Sequence, residues 1–300
     1  MIYFRQFSFL LALILLLTSA CSGGEQESEP QTPPNEPSGE ALLPDPGVVS
    51  YSFRNQFSED VPATLDLIKE MGVTNIEFSS LFGQSAEDLR AMLDERGMVA
   101  TSYGVGFQAV TDEIDRVIEE AHTLGVQFVR IGSVPYDRSG PFTIDDAQRA
   151  VEAFNEIGAR LQEADLKFIY HNHGFEFRPH EEGTLFDYMV QNTDPETVGY
   201  EMDLGWVVQP GHDPVELVQR YPDRFWATHL KDFRHGTPQD YSGSTDRSNS
   251  VMLGNGMIDF AAFLRAAEGS NIVHHYIEYE DEDVVDVMPH SLSYIRGLTK

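Results

Sequence analysis

Four short apolar runs in the C-terminal half of this chain each end in side chains that bind metals or move protons. They read KFIYHNHGFEF (Lys167–Phe177), VGYEMDLGW (Val198–Trp206), FWATHLKDF (Phe225–Phe233) and VHHYIEYE (Val273–Glu280). Apolar runs of this length, separated by helical stretches, mark buried parallel strands. Functional residues in such folds collect at the carboxyl ends of the strands, where the loops converge. A carboxylate, an Asp, a His and a second carboxylate offered from four successive strand ends make a site for one divalent cation. Mixed oxygen and nitrogen donors suit a borderline ion, and without thiolates the set is not that of a structural zinc site.

The elements that must position these residues repeat with a regular beat. Strands are expected at Val49–Phe53, Asn75–Phe78, Val99–Tyr103, Phe128–Ile131, Lys167–His171, Val198–Met202, Trp226–Leu230 and Val273–Tyr279. Helices are expected between them, among others at Val61–Met71, Ala86–Arg96, Thr111–Leu124 and Asp145–Ala164. Gly72, Gly97 and Gly125 each stand between a helix and the next strand, where a left-handed residue ends a helix cheaply. Eight strands alternating with helices predict a closed (β/α)8 barrel of α/β class. An open doubly wound sheet is disfavoured, because no glycine-rich phosphate loop follows the first strand. The polar segment Arg234–Asn255 is long for a barrel loop and follows the seventh strand, as a lid, a substrate-contacting loop or a surface insertion.

Ahead of the barrel, Met1–Ala20 carries one basic residue and an apolar run from Phe7 to Leu17, too short to span a bilayer. It reads as an export signal, and Thr18-Ser19-Ala20-Cys21 resembles the lipobox of bacterial lipoproteins, with Cys21 as the lipidated residue. Cys21 is the only cysteine, so the core is expected to hold the fold without an intrachain disulfide. Residues 21–47 are rich in Glu, Pro, Gly and Ser and read as a disordered acidic tether, which leaves 48–300 for the barrel. The expected location is the cell envelope, lipid-anchored, on the periplasmic side of the outer membrane in a Gram-negative cell. The membrane would be met only through that anchor. The 20 basic residues against 49 acidic ones, a formal net charge of −29, exclude nucleic acid as a natural partner.

YHNHGFEF, DLGW after a Glu-Met step, HLKD, LGNGMIDF and YIEYE together resemble the sugar phosphate isomerase/epimerase superfamily of xylose-isomerase-like TIM barrels. That group includes inosose dehydratases and enzymes that epimerise, hydrate or cleave 3-keto-sugars. The resemblance covers nearly all of Val49–Lys300 and implies one divalent ion, Mn, Co or Mg with Zn as a further option. It implies Asp203, His229 and Glu278 as ligands. Glu176 is expected as the fourth, with His171 and His173 as competitors. Two departures sit at the mouth: Tyr103-Gly104 where relatives often carry a histidine, and Asn255 where many carry a Glu.

Several of these residues have a plainer use. Asp203 could cap a helix, although Asp213-Pro214 better starts the next one. Lys231 could pair with Asp232 or another barrel acid. Trp206 is rim packing or a platform for a sugar ring. Glu77 and Arg130 are ion-pair partners inside the barrel or substrate contacts. His173, followed by glycine and flanked by Phe175 and Phe177, suits acid/base work, with His171 as its partner.

The resemblance implies an isomerase, epimerase or carbon–oxygen lyase acting on a non-phosphorylated keto-sugar or 3-keto-glycoside. The ion would polarise a ketone and a neighbouring hydroxyl, and so stabilise an enediolate. His173, Lys231, Glu176 and Glu278 are the expected acid/base and polarising groups; Trp206, His171, Glu77 and Arg130 are the expected substrate contacts. The partner is thus a small carbohydrate, with self-association left open. The alternative function is a non-catalytic sugar-binding lipoprotein on the same barrel. An endonuclease would need more histidines and a basic groove.

Overall fold

The computed structural model describes residues 39–300. The expected export signal, Cys21 and the expected tether up to residue 38 lie outside the described residues. The last residues assigned to the tether contact the C-terminal end of the chain. Leu42 donates its N–H to Leu298 O at 2.8 Å, Lys300 N donates to Glu40 O at 3.0 Å, and Leu42 and Leu43 pack against the core. Two leucines in an otherwise polar segment bury enough apolar surface to dock it. Among the described residues, no helix is long and apolar enough to cross a membrane.

Eight parallel strands close in chain order into one barrel. They are β1 (Gly47–Val49), β2 (Asn75–Phe78), β3 (Val99–Val105) and β4 (Phe128–Ile131), then β5 (Lys167–His171), β6 (Val198–Asp203), β7 (Phe225–Leu230) and β8 (His274–Ile277). The largest departure from the expected elements is at β1. The ladder ends at Val49, and Ser50–Phe53 turns into a short 3-10 helix. Two hydroxyls draw the chain out of the ladder: Ser50 Oγ accepts from Ser79 N at 2.8 Å and Ser52 Oγ from Tyr279 N at 2.9 Å. The helix expected over Thr111–Leu124 is two, Phe107–Asp112 and Ile114–Leu124, parted by Glu113. Ala86–Arg96 forms as expected between the cap of Ser85 and Gly97. Gly72, Gly97 and Gly125 hold φ of 76°, 63° and 73°, the left-handed turn that each helix-to-strand step requires.

Side-chain alternation along the strands builds the site's floor. Inside the barrel, Val49, Phe128, Ile169, Ala227 and Tyr276 form an apolar plug. Two residues further along four of these strands stand Arg130, His171, His229 and Glu278. A two-residue step keeps a side chain on the same face, so each polar residue stands directly above an apolar one. The plug keeps water out from below, and the loops close the site from above.

Candidate metal centre

Four adjacent strands, β5 to β8, bring His171, Asp203, His229 and Glu278 together, each offering one ligand atom. Asp203 and His229 are register partners on β6 and β7, and the N–H of Glu278 bonds to Leu230 O at the end of β7. His171 Nε2 lies 3.0 Å from His229 Nδ1 and 3.3 Å from Asp203 Oδ2. His229 Nδ1 lies 2.7 Å from Glu278 Oε2 and 3.8 Å from Asp203 Oδ2. Donors about 2.0–2.2 Å from a four-coordinate ion sit roughly 3.4 Å apart, so the cluster is the right size for one ion once its internal hydrogen bonds give way. Burial holds the His171 imidazole neutral, its pKa well below the ordinary value, which leaves a lone pair for ligation.

Glu176 is not part of this cluster, and His171 takes the place expected of it. Tyr170 and His171 point to opposite sides of β5. Tyr170 turns outward onto Phe154, and its hydroxyl donates to Glu176 Oε1 at 2.5 Å. Glu176 also accepts the His173 N–H at 3.0 Å, so it pins the turn that carries His173. Burial raises its pKa to about 7, with Tyr170 opposing. Its carboxylate accepts from the Tyr170 hydroxyl and the His173 amide rather than facing the cluster.

His229 is gripped on its other nitrogen as well. Nε2 lies 2.7 Å from Glu77 Oε1 and 3.1 Å from Glu201 Oε2. Carboxylates behind a ligating imidazole fix its ring and raise its basicity. Glu77 therefore orients His229 and lies fully buried. Arg130 Nε lies 2.8 Å from Glu77 Oε1 and 3.4 Å from Glu201 Oε2. Burial alone would raise the Glu77 pKa, but Arg130 and His229 outweigh it and hold it at about 2. Glu201 goes the other way, to about 7, through burial and the neighbouring Glu77 charge. Glu201 was missed in the sequence. The signal was its place two residues before Asp203 on one strand, which turns both inward.

Lys231 reaches the same cluster rather than Asp232. Its Nζ lies 3.0 Å from Asp203 Oδ2, 3.2 Å from Glu278 Oε2 and 2.6 Å from Glu280 Oε1. Burial works against the ammonium, yet these three carboxylates hold it charged, its pKa well above the ordinary value. Asp203 also caps Leu204–Val208 through Trp206 N at 2.9 Å, so the capping role and the cluster role coexist on its two oxygens. Trp206 is only 4% exposed and carries Lys231 Nζ 4.8 Å from its ring centre, so it packs the wall more than it offers an open platform.

A cavity of about 370 Å³ opens above the cluster. Arg130, His171, His173, Trp206, His229, Lys231 and Glu278 line it, with Gly243–Arg247 of the long loop as its far wall. His173 stacks on Phe175 at 5.5 Å, and Gly243 packs on both; a Cβ there would stand 2.7 Å from Phe175 and 3.0 Å from His173. Burial keeps the His173 imidazole neutral.

The base of that loop hangs on Asp232. Pointing away from the barrel interior, its oxygens accept four amides, from Gly254, Gly256, Met257 and Ile258 at 2.9–3.3 Å. Asp232→Asn turns an amide NH₂ toward donors and breaks about half of this set. The expected cost is about 2 kcal/mol, or roughly 4–8 °C in melting temperature. A melting curve within 1 °C of wild type, on the order of the scatter of such measurements, would remove the clamp from the account.

A family model described as xylose isomerase-like TIM barrel matches residues 65–298. The chain belongs to that family. Within it, the chain is 29% identical over 253 residues to the inosose dehydratase of Geobacillus kaustophilus, covering 71% of this chain and 80% of the relative. A sugar phosphate isomerase/epimerase from Parabacteroides distasonis superposes with a TM-score of 0.68 at 24% identity, over 88% of this chain and 97% of that one. IolI, solved with a bound zinc atom, superposes with a TM-score of 0.65 at 15% identity, over 85% and 96%.

Proposed function

We propose that this xylose isomerase-like barrel is a metal-dependent carbohydrate lyase or isomerase that moves a proton beside a sugar ketone. One observation carries the reading: a four-strand cluster fit for one divalent ion shares its cavity with a charged Lys231 and a neutral His173. The similarity to inosose dehydratase, a carbon–oxygen lyase by name, points the same way.

His171, Asp203, His229 and Glu278 would hold the ion, which supplies Lewis acidity toward a ketone and a neighbouring hydroxyl oxygen. Two imidazoles among four donors favour Mn, Co or Zn over Mg, which prefers an all-oxygen shell. IolI's zinc is consistent with that choice. His173, neutral across the physiological range, accepts the carbon-bound proton at a ring nitrogen. Lys231 faces the oxygen on which negative charge develops and donates a proton there or to a departing hydroxyl. A proton returned to the opposite face of that carbon gives epimerisation, one delivered to the former carbonyl carbon gives isomerisation, and departure of the hydroxyl on the next carbon, β to the ketone, gives elimination. Gly243–Arg247 and Trp206 close the cavity around the substrate and keep water from the reacting carbon.

Outside the cytoplasm, where Cys21 would anchor the chain, sugar phosphates are scarce. A non-phosphorylated keto-sugar or 3-keto-glycoside is therefore the proposed substrate. Incubation with such ketones in deuterated water, followed by NMR, should show exchange of the hydrogen next to the carbonyl. A metal-loaded protein that binds these sugars without any exchange is a binding protein instead. Cys21→Ser should move the chain from membrane to soluble fractions; unchanged retention of the variant would exclude the anchor.

Metal binding is expected to strengthen with pH. Burial opposes charge on His229, but Glu201, Glu77 and Glu278 outweigh it and hold its pKa well above the ordinary value. Without an ion, the ring is therefore an imidazolium at neutral pH, and an ion on Nδ1 must displace that proton. Affinity should rise about tenfold per pH unit below the raised pKa and level off above it. Chelator competition at several pH values, with proton release read by calorimetry in two buffers, checks this. An affinity independent of pH would mean that His229 is not a ligand.

A further inference from the structure

Behind the cluster that faces the cavity, a second set of ligand-type side chains closes on the far nitrogen of the same imidazole. Glu77, Glu201 and His229 bring one donor atom each to within 4.8 Å of one another. The two glutamates are fully buried and His229 is 2% exposed. Neither oxygen of Glu201 makes a hydrogen bond, although Oε2 is 3.1 Å from His229 Nε2. Two carboxylates and an imidazole in dry surroundings form the donor set of a divalent ion of the Mn or Zn class.

A cation of the chain's own stands there instead. Arg130 on β4 sets Nε 2.8 Å from Glu77 Oε1 and 3.4 Å from Glu201 Oε2. Two glycines make room for the guanidinium. A Cβ on Gly104 would come within 2.6 Å of Arg130 Nη2, and one on Gly132 within 3.0 Å of Nη1. Tyr103-Gly104 is one of the two departures noted at the barrel mouth, and Gly104 is the register partner of Arg130.

We propose that Arg130 stands in for a second metal ion and keeps this centre mononuclear. A guanidinium stays protonated in proteins, so the charge it supplies to Glu77 and Glu201 is permanent. A mobile ion would otherwise be drawn to the same carboxylates, sharing His229 with the first. A second ion on Nε2 would share the His229 ring with the first and lie behind it, on Glu77 and Glu201, which do not line the cavity. A single ion beside Lys231 and His173 is suited to proton transfer next to a carbonyl. The inference rests on the reading of the cavity-facing cluster as a one-ion site, and the test separates the two.

Wild type, Arg130→Met and Arg130→Lys are loaded with Mn²⁺ or Zn²⁺, desalted, and counted by elemental analysis and native mass spectrometry. The expected counts are one ion for wild type, two for Arg130→Met and one for Arg130→Lys. Adding Glu201→Gln to Arg130→Met should return the count to one and so locate the extra ion. A folded Arg130→Met that holds the same number as wild type overturns the proposal. Should that variant fail to fold, Gly104→Ala pushes the guanidinium from its berth without deleting it. A gained ion there supports the proposal, and an unchanged count in the folded Gly104→Ala protein overturns it. Wild type without any ion counts against the one-ion reading, whereas the variant-minus-wild-type difference still tests the role of Arg130.

Discussion

His229→Ala is expected to strip the barrel of its divalent ion and to cost it stability, while the eight-stranded fold persists. The imidazole contributes a donor atom to the cavity-facing cluster and is the residue on which both clusters meet. Loss of an outer partner of a metal ligand typically costs 10–100-fold in affinity, so loss of the ligand itself should exceed roughly 100-fold. The stability term is larger than a strand-end histidine suggests. His229 is 2% exposed, with Glu77, Glu201 and Glu278 around its ring, and its removal leaves those carboxylates short of a buried cation. Breaking such a set costs about 3 kcal/mol, tempered here because Arg130 and Lys231 remain. Elemental analysis and a melting curve on the same sample check both parts. Glu176→Gln is the control: held by Tyr170 and the His173 amide, it should keep the full metal content. Full metal occupancy in His229→Ala, or metal loss in Glu176→Gln, would reverse the assignment of the cluster.

Lys231→Ala and His173→Ala should each slow exchange of the hydrogen next to the ketone by roughly 10²–10⁴-fold, the usual range for a positioned acid or base. The loss should fall on kcat, with KM little changed, because each group acts where charge develops in the transition state. For Lys231 the sign follows from its neighbours. Asp203, Glu278 and Glu280 keep it protonated, so it acts as a cation and proton donor, not as a base. For His173 burial keeps the ring neutral, so it acts as the acceptor. Metal content should stay at one ion per chain in both variants. Wild-type exchange rates in the two variants would take both residues out of the mechanism, and loss of metal in either would recast its role as holding the ligands.

The barrel and three of the four cluster residues were legible in the sequence because they depend on local pattern. Apolar strands, helix caps and the left-handed glycines at 72, 97 and 125 are written within a few residues of where they act. Asp203, His229 and Glu278 stand at or just beyond the ends of strands whose order follows the chain. The tertiary structure decided the rest, since it turned on which face of a strand a side chain takes and what meets it across the barrel. His171 enters the cluster and Glu176 leaves it because the outward turn of Tyr170 captures the glutamate. Lys231 finds Asp203, Glu278 and Glu280 while its neighbour Asp232 takes four loop amides, a division set by strand alternation. Glu77, Arg130 and Glu201 come from β2, β4 and β6, up to 124 residues apart in the chain, and meet only because the sheet closes. The ion pair of Glu77 with Arg130 was one of two uses the sequence offered. That Glu201 and the far nitrogen of His229 join it depends on distances across the barrel interior, which no spacing along the chain encodes.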